Sequence, residues 1–103
     1  MRYTQLRAFH HVALHEGFSR AAEALNQPQP SVSDQVRRLE QAHDTRLFLR
    51  ERRQVRLTAA GEDLFRLTRE FFDVEERIGD FLEHSRSAIT GKLRIVADSA
   101  LHI

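Results

Sequence analysis

The chain has 103 residues, 41% of them hydrophobic, which is enough for one small domain with an extension. We expect neither a membrane span nor a signal peptide, because no apolar run is long enough and the N-terminus enters an amphipathic pattern at once. The absence of cysteine excludes a disulfide framework and thiolate metal sites.

The net charge of +1 hides an uneven distribution along the chain. Residues 1–60 carry 10 Lys and Arg against 6 Asp and Glu, whereas residues 61–91 carry 4 against 8. The first half is therefore the basic half, which is where a contact with a polyanion such as the DNA backbone is expected.

The first predicted helix begins after Thr4, which can act as its N-cap, and runs to about Glu16, with Gly17 placed to end it. His11 and His15 lie four residues apart on one helix face, which is a spacing that metal sites use. No third ligand has a suitable local spacing, so we interpret them, with His10, as structural or surface histidines. The predicted core positions are Leu6, Phe9, Val12 and Ala13, with Tyr3 and Phe18 at the two ends.

Two short helices joined by a polar turn follow within residues 18–43. Ser19 is the expected N-cap of the first, and the segment Asn26-Gln27-Pro28 ends it, because proline cannot donate a backbone hydrogen bond. The second helix, predicted over residues 29–43, places Val32, Val36 and Leu39 inward. Its other faces carry Ser31, Ser33, Asp34, Gln35, Arg37 and Arg38. This pattern suits a helix that enters a DNA major groove, although a solvated amphipathic helix would show the same alternation.

A β-hairpin is predicted over residues 47–57, because apolar residues alternate on both sides of a short charged tip. Leu47 and Leu49 form one arm of this alternation, and Val55 and Leu57 form the other. A basic hairpin beside a DNA-reading helix is a wing, whose arginines contact phosphates or a narrow minor groove. The alternative is a charged edge strand that prevents aggregation. The arginines in question are Arg46, Arg50, Arg52, Arg53 and Arg56.

A long helix is predicted from Thr58, its N-cap, to Ile89. Its apolar residues step by three and four over more than three heptads, as in helices that pair with another helix. At roughly 1.5 Å per residue this helix would be about 48 Å long, which is more apolar face than a three-helix domain can cover. We therefore expect self-association through this seam. The predicted dimer interface consists of Leu64, Leu67, Phe71, Val74, Ile78 and Phe81.

The last residues suggest a further domain. Thr90 and Gly91 are expected to end the long helix, and the stretch 92–97 alternates like a single strand. A strand without a partner is not a finished domain, so we interpret residues 91–103 as the start of a truncated C-terminal domain. The expected organisation is a DNA-binding domain over 1–58, a linker and dimerisation helix over 59–90, and this fragment.

Six motifs together resemble the N-terminal part of a LysR-type transcriptional regulator. They are Leu6-Arg-x-Phe9, Phe18-Ser-Arg-Ala-Ala-Glu-x-Leu25, Gln29-Pro-Ser-Val-Ser33, Gln35-Val-Arg-Arg-Leu-Glu40, Leu47-Phe-x-Arg50 and Val55-Arg-Leu-Thr-x-Ala-Gly61. The resemblance implies a mainly α fold: a winged helix-turn-helix, with a three-helix core and a two-stranded β wing, followed by a long dimerisation helix. It also implies a missing effector domain that binds a small-molecule inducer; we expect no cofactor in the fragment itself.

The resemblance assigns roles by position. The start of the recognition helix would face base edges and nearby phosphates, the arginine pair after it would contact the backbone, and the wing arginines would lie at or near the wing tip. The implied DNA-binding residues are Gln29, Pro30, Ser31, Ser33, Asp34, Arg37, Arg38, Arg50, Arg52 and Arg53.

The sequence departs from the family pattern at four positions. Pro28 replaces a residue with a capping hydroxyl, Asp44 replaces a frequent glycine, and Glu51 replaces a small hydroxyl residue. Asp34 stands where a long polar residue is frequent; its carboxylate is repelled by phosphate but can accept a hydrogen bond from cytosine N4. These acids lead us to expect weak non-specific binding and a definite sequence preference.

Regulators of this kind are bacterial and cytoplasmic, and bind imperfectly palindromic promoter DNA as homodimers, often assembled into tetramers. Most contact RNA polymerase, and no membrane partner is implied. Two other classes compete with this reading. A helical oligomerisation module with no DNA-reading role would leave the clustered wing arginines without a purpose. An enzyme would need a catalytic constellation, and none is recognisable in the sequence.

Overall fold

The computed structural model describes residues 1–51 and 54–93. Its elements in chain order are α1 (Tyr3–His15), α2 (Phe18–Leu25), α3 (Gln29–Ala42), β1 (Phe48–Glu51), β2 (Gln54–Leu57) and α4 (Ala59–Leu93). They form a winged helix-turn-helix followed by a long helix, as the sequence predicts. Among the helices described, none combines the length and apolar character needed to cross a membrane.

The core lies between α1, α2 and α3, where the apolar stripes of the three helices meet. Phe9, Val12, Val32 and Val36 have no exposed surface. Phe18 packs against this core as predicted, but Tyr3 is 44% exposed, so its assignment to the core was wrong. Tyr3 is the first residue of α1, and a side chain at a helix end has only one turn of neighbours to cover it.

Three left-handed residues end the first three helices or follow them. Glu16, Asn26 and Asp44 have φ angles of 55°, 54° and 47°. At Asp44 this explains the departure from glycine, because aspartate tolerates a conformation that most side chains avoid. Glu16, rather than Gly17, is the left-handed residue after α1; Gly17 has an extended φ and its N–H donates to the carbonyl of Val12.

Two predicted caps were wrong. The N-cap of α1 is Arg2 and that of α2 is Gly17, and neither helix has a side-chain cap. Thr4 and Ser19 lie inside the first turns, because the helices start one or two residues earlier than the capping pattern suggests. Helix packing against the core therefore decides these starts, and a capping side chain is worth only about 1 kcal/mol.

The wing is a two-stranded antiparallel sheet in which Phe48 pairs with Leu57 and Arg50 pairs with Val55. These four residues therefore share one face of the hairpin. Phe48 is buried, with its ring 5.3 Å from that of Phe9, whereas Leu49 is exposed. The predicted alternation of Leu47 with Leu49 was thus wrong at Leu49: Leu47 precedes the strand, and Phe48 is the residue of β1 that faces the core.

Glu40 fixes the start of the wing to α3. Its carboxylate accepts hydrogen bonds from the backbone N–H groups of Leu47, at 2.8 Å, and Phe48, at 3.3 Å. Hydrogen bonds to a charged acceptor are among the stronger ones in proteins. The start of the wing is therefore held at a set position relative to α3.

The start of α4 is tied to the entry of the wing, and Thr58 caps it as predicted. Its hydroxyl oxygen accepts a hydrogen bond from the N–H of Gly61 and donates one to the carbonyl of Arg46. Gly61 is needed here for space, because a Cβ at this position would lie 2.1 Å from the carbonyl oxygen of Leu47.

Helix α4 continues through Thr90 and Gly91 to Leu93, so the prediction that these two residues end it was wrong. A glycine within a helix costs about 1 kcal/mol relative to alanine, which a long helix tolerates. Lys92 and Leu93 are therefore helical rather than extended, and residues 94–97 of the predicted strand lie outside the described residues. The chain divides into two compact units, Met1–Arg69 and Glu70–Ile103, so α4 contributes residues to both.

Candidate nucleic-acid interface

Helix α3 has a buried apolar face and, opposite it, an accessible polar face. Val32 and Val36 are fully buried and Leu39 is nearly so, which fixes how the helix is rotated on the core. The residues of the first turn, Gln29, Pro30 and Ser31, are exposed together with Arg37 and Arg38, while Ser33 and Asp34 are half-buried. The structure therefore brings the predicted contacts of α3 onto its accessible surface.

The first turn of α3 has no side-chain cap, in line with the replacement of a hydroxyl residue by Pro28. The carbonyl oxygen of Pro28 accepts hydrogen bonds from the N–H groups of Ser31 and Val32. Gln29 does not cap the helix: its Oε1 accepts a hydrogen bond from the hydroxyl of Ser19 at 3.1 Å. Ser19 thus links the first turn of α2 to the start of α3.

Asp34 is held by two guanidinium groups of its own helix. Arg37 donates from Nη2 to Oδ1, and Arg38 donates from Nε to Oδ2 at 2.7 Å. The hydrogen bond from Arg38 is the largest cause that lowers the pKa of Asp34, and Arg37 lowers it further, against an opposing effect of burial. Each carboxylate oxygen has its own arginine, so the residues predicted to contact phosphate are occupied by an internal anion.

A groove of about 660 Å³ runs between the start of α2, the start of α3 and strand β2. Its lining includes Ser19, Arg20, Gln29, Gln54 and Arg56, which offer hydroxyl, amide and guanidinium donors. Such donors bind phosphate and sugar groups in protein–DNA interfaces. The sequence did not indicate Ser19, Arg20 and Gln54 as candidate DNA contacts. Only the fold shows that the first turn of α2 lies next to the second strand of the wing.

The predicted wing arginines differ in their surroundings. Arg50 lies on the inner face of the hairpin, with its guanidinium carbon 5.1 Å from the centre of the Phe18 ring. Arg56 pairs with Leu49 on the opposite face and is exposed. Arg52 and Arg53 lie outside the described residues. Glu51 is exposed at the end of β1 and pairs with Gln54.

His10 is a structural residue rather than a ligand. Its Nδ1 lies 2.9 Å from the hydroxyl oxygen of Thr68, which donates its own hydrogen to the carbonyl of Phe65. Since a hydroxyl has one hydrogen, Nδ1 of His10 is the donor in this pair when Thr68 donates to Phe65. Burial, with a smaller contribution from the neighbouring His11, lowers the pKa of His10 from its ordinary 6.5 to about 4.

The other two histidines of α1, His11 and His15, lie side by side on the helix. The rings of His11 and His15 stack at 5.6 Å, and burial lowers the pKa of His11, helped by repulsion from His15 and Arg7. No group of three or more His, Cys, Asp or Glu suited to a metal ion occurs among the described residues.

The predicted dimer seam is exposed over most of its length, from Leu67 to Phe81. Leu67, Ile78 and Phe81 expose 61%, 53% and 63% of their surfaces, and Phe71 and Val74 expose nearly half. Leu64 differs, since it packs against the core of the first unit.

Comparison with known proteins identifies this arrangement. The family model for the bacterial regulatory helix-turn-helix protein, lysR family, matches residues 3–62. A curated relative, the RuBisCO operon transcriptional regulator of Allochromatium vinosum, is 40% identical over 98 residues, which are 95% of this chain and 32% of that protein. The chain therefore spans about a third of this relative's length.

Two solved structures of protein–DNA complexes have the same fold. The CbnR_DBD–DNA complex is 33% identical with a TM-score of 0.69, and the match covers 85% of this chain and 98% of that one. The BenM_DBD/catB site 1 DNA complex is 25% identical with a TM-score of 0.75, and the match covers 82% of this chain and 94% of that one.

Proposed function

Because the chain belongs to the lysR family of bacterial regulatory helix-turn-helix proteins, we propose that α3 enters the major groove of a specific DNA duplex. The chain is a sequence-specific double-stranded DNA-binding module of a LysR-type regulator. One observation carries this proposal: the CbnR_DBD and BenM_DBD structures, which match over nearly their whole length, are DNA complexes. The exposed polar face of α3, opposite its buried apolar face, is consistent with it.

The side chains divide into base-reading and backbone-contacting groups. Gln29, Ser31 and Ser33 lie at the start of α3, which in helix-turn-helix proteins is the part nearest to base edges. The backbone contacts come from the α3 arginines, the donors of the groove and the wing. In this proposal they are Arg37, Arg38, Arg20, Arg50, Arg52, Arg53 and Arg56, with Pro30 shaping the first turn of α3 and Asp34 accepting from a cytosine amino group.

The proposed assembly is a homodimer formed through α4. Leu67, Val74, Ile78 and Phe81 are apolar, exposed and spaced by three, four and seven residues, as in helices that pair side by side. Two copies related by a two-fold axis would place two α3 helices on two inverted half-sites. The proposed organisation keeps a DNA-binding domain over 1–58 and a dimerisation helix over 59–90.

The remaining expectations concern the longer protein that the relatives represent. They are an effector domain after α4 that binds a small-molecule inducer, tetramer formation, contact with RNA polymerase, and action in the cytoplasm. The alternative of an oligomerisation module without a DNA-reading role is not favoured, because it does not account for the likeness to DNA complexes.

Selection of bound duplexes from a random pool at near-physiological salt tests the proposal. We expect enrichment of two inverted half-sites whose centres lie about 34–36 Å apart, which is one helical turn, or a multiple of that spacing. If nothing is enriched from a sample that is dimeric by light scattering, the proposed function is wrong. Enrichment of a single half-site would support reading by α3 and contradict the proposed pairing.

A further inference from the structure

Both carboxylate oxygens of Asp34 already form ion pairs within the protein. Arg37 holds Oδ1 and Arg38 holds Oδ2, both from the following turn of the same helix. The other acid of this part of α3, Glu40, is used differently, since it accepts backbone N–H groups of the wing. Asp34 is therefore the acid of α3 that competes for guanidinium groups facing the ligand.

A carboxylate and a phosphate are alternative partners for the same guanidinium. Both are anions whose oxygens accept charge-assisted hydrogen bonds, and arginine binds either with similar geometry. The side chains of Arg37 and Arg38 are 58% and 64% exposed, so phosphate oxygens can reach them without any change in the backbone. Resting on the DNA-binding function proposed above, we propose that Asp34 is a specificity-determining residue that occupies Arg37 and Arg38 in place of DNA phosphate.

The consequence differs between non-specific and specific DNA. Non-specific DNA offers phosphates, so each arginine that moves to the backbone exchanges one anion for another and leaves Asp34 unpaired beside further negative charge. A specific site that presents an exocyclic amino group gives the released carboxylate a new hydrogen-bond donor. Asp34 thus weakens binding to every duplex but weakens it least at the site that supplies this donor.

Surface ion pairs of this kind are individually weak, which limits the size of the effect. Two of them share one carboxylate here, and the substitution also removes a negative charge from the interface. We expect Asp34→Asn to tighten binding to a non-specific duplex by about three- to tenfold at low salt. Affinity for the enriched operator should rise less, so the ratio of specific to non-specific affinity falls.

A double-mutant cycle separates occupancy of the arginines from simple repulsion between Asp34 and phosphate. The four proteins are the wild type, Asp34→Asn, the double variant Arg37→Gln with Arg38→Gln, and the triple variant. Fluorescence anisotropy with a duplex lacking the selected half-site reports non-specific affinity at several salt concentrations. Asp63→Asn is the charge control, because it removes an exposed carboxylate paired with Arg66 on α4 rather than on α3.

The expected result is that the gain from Asp34→Asn is lost when the arginines are absent. In the wild-type background the slope of log affinity against log salt should steepen by about one to two units, one for each arginine that gains a phosphate. In the Arg37→Gln, Arg38→Gln background the same substitution should change affinity less than about twofold, as should Asp63→Asn in the wild type. Circular dichroism verifies that each variant retains its helices.

The opposite results are distinguishable. An equal gain in both backgrounds would show that Asp34 acts by repulsion alone, which overturns the inference. No gain in either background would overturn it as well while leaving the DNA-binding function intact, provided that the wild type still binds its selected operator. A wild type that binds no enriched duplex contradicts the proposed function itself.

Discussion

The two compact units of the chain use the same apolar residue types in opposite ways. In residues 1–69, phenylalanine and valine side chains such as Phe9, Val12 and Val36 are fully buried among three helices and a hairpin. In the described part of the second unit, Ile78 and Phe81 are more than half exposed on one helix. The first unit completes a core from its own sequence, whereas the second presents an apolar surface suited to a partner.

This difference distinguishes the free energy of folding from the free energy of association. Burial in the first unit stabilises the fold of a single chain, because the apolar surface leaves water when that chain folds. In the pairing proposed above, the apolar surface of α4 leaves water only when two copies meet, so it would contribute to association and make stability depend on protein concentration. Substitutions should accordingly affect unfolding in the first unit and assembly in the second.

The largest effect on unfolding is expected from Gly61→Ala. The added Cβ would lie 2.1 Å from the carbonyl oxygen of Leu47, so the start of α4 must move away from the wing. Overpacking typically costs about 1–3 kcal/mol, and a backbone oxygen that cannot yield places this site at or above the upper end. Urea denaturation measures the loss. Gly79→Ala is the matched control in the same helix, with no described atom within 4 Å of its Cβ.

The control substitution should not lower the free energy of unfolding. Alanine is favoured over glycine in a helix by about 1 kcal/mol, so Gly79→Ala should leave stability unchanged or raise it. If both substitutions had the same effect, the close approach of Gly61 to Leu47 would not be the cause of the destabilisation.

An intermediate effect is expected from acid, through His10. The pKa of His10 is lowered to about 4 in the folded chain, mainly by burial, whereas 6.5 is the ordinary value. The unfolded chain therefore binds more protons between these values, and stability that is present above pH 6.5 is lost as the pH falls towards 4. The loss should amount to about 1–3 kcal/mol.

Urea denaturation of wild type and His10→Gln across this pH range isolates the histidine. The variant should lose less stability on acidification than the wild type, while a control substitution of the exposed His43→Gln should retain the wild-type dependence. Parallel curves for wild type and His10→Gln would show that other groups cause the acid sensitivity.

The smallest effect on the fold, together with a large effect on assembly, is expected from Ile78→Glu. A carboxylate in an apolar interface would have to lose its water on association, so the dimer should dissociate at micromolar concentration. Unfolding of the first unit should change by less than about 0.5 kcal/mol. Analytical ultracentrifugation measures the assembly.

The control His84→Glu places the same side chain at another exposed position of the helix and should leave the dimer intact. A dimer that also survives Ile78→Glu would mean that the interface lies elsewhere.

Much of the fold can be predicted from the sequence because helical periodicity is local, whereas the starts of α1 and α2 were predicted wrongly from their caps. The stripes of α1 and α3, the stop at Pro28 and the cap at Thr58 follow from residues within a few positions of each other. The failures occur where packing between elements decides: Phe48 rather than Leu49 faces the core because it contacts Phe9. The space requirement at Gly61 depends on Leu47, a residue in another element.

In the candidate site, too, local features can be predicted and contacts between elements cannot. The spacing of polar residues predicts the polar face of α3, and the i+3 and i+4 spacing predicts that Arg37 and Arg38 lie near Asp34. The sequence nevertheless suggests separate roles for the acid and the arginines, and the contacts of the structure join them. The groove donors Ser19 and Gln54 could not be predicted, because they come together only when α2 and the wing pack on the same core.

The most direct test of the account joins both regions in one titration. Binding of the wild type to a duplex with two selected half-sites should be about 10²–10⁴-fold tighter than to a duplex with one, because the second α3 helix binds at a high effective concentration. In Ile78→Glu this ratio should fall to about two, the statistical value, with the single-site affinity retained. A ratio that remains high in Ile78→Glu, in a protein shown to be monomeric, would contradict the division between a reading unit and a pairing helix.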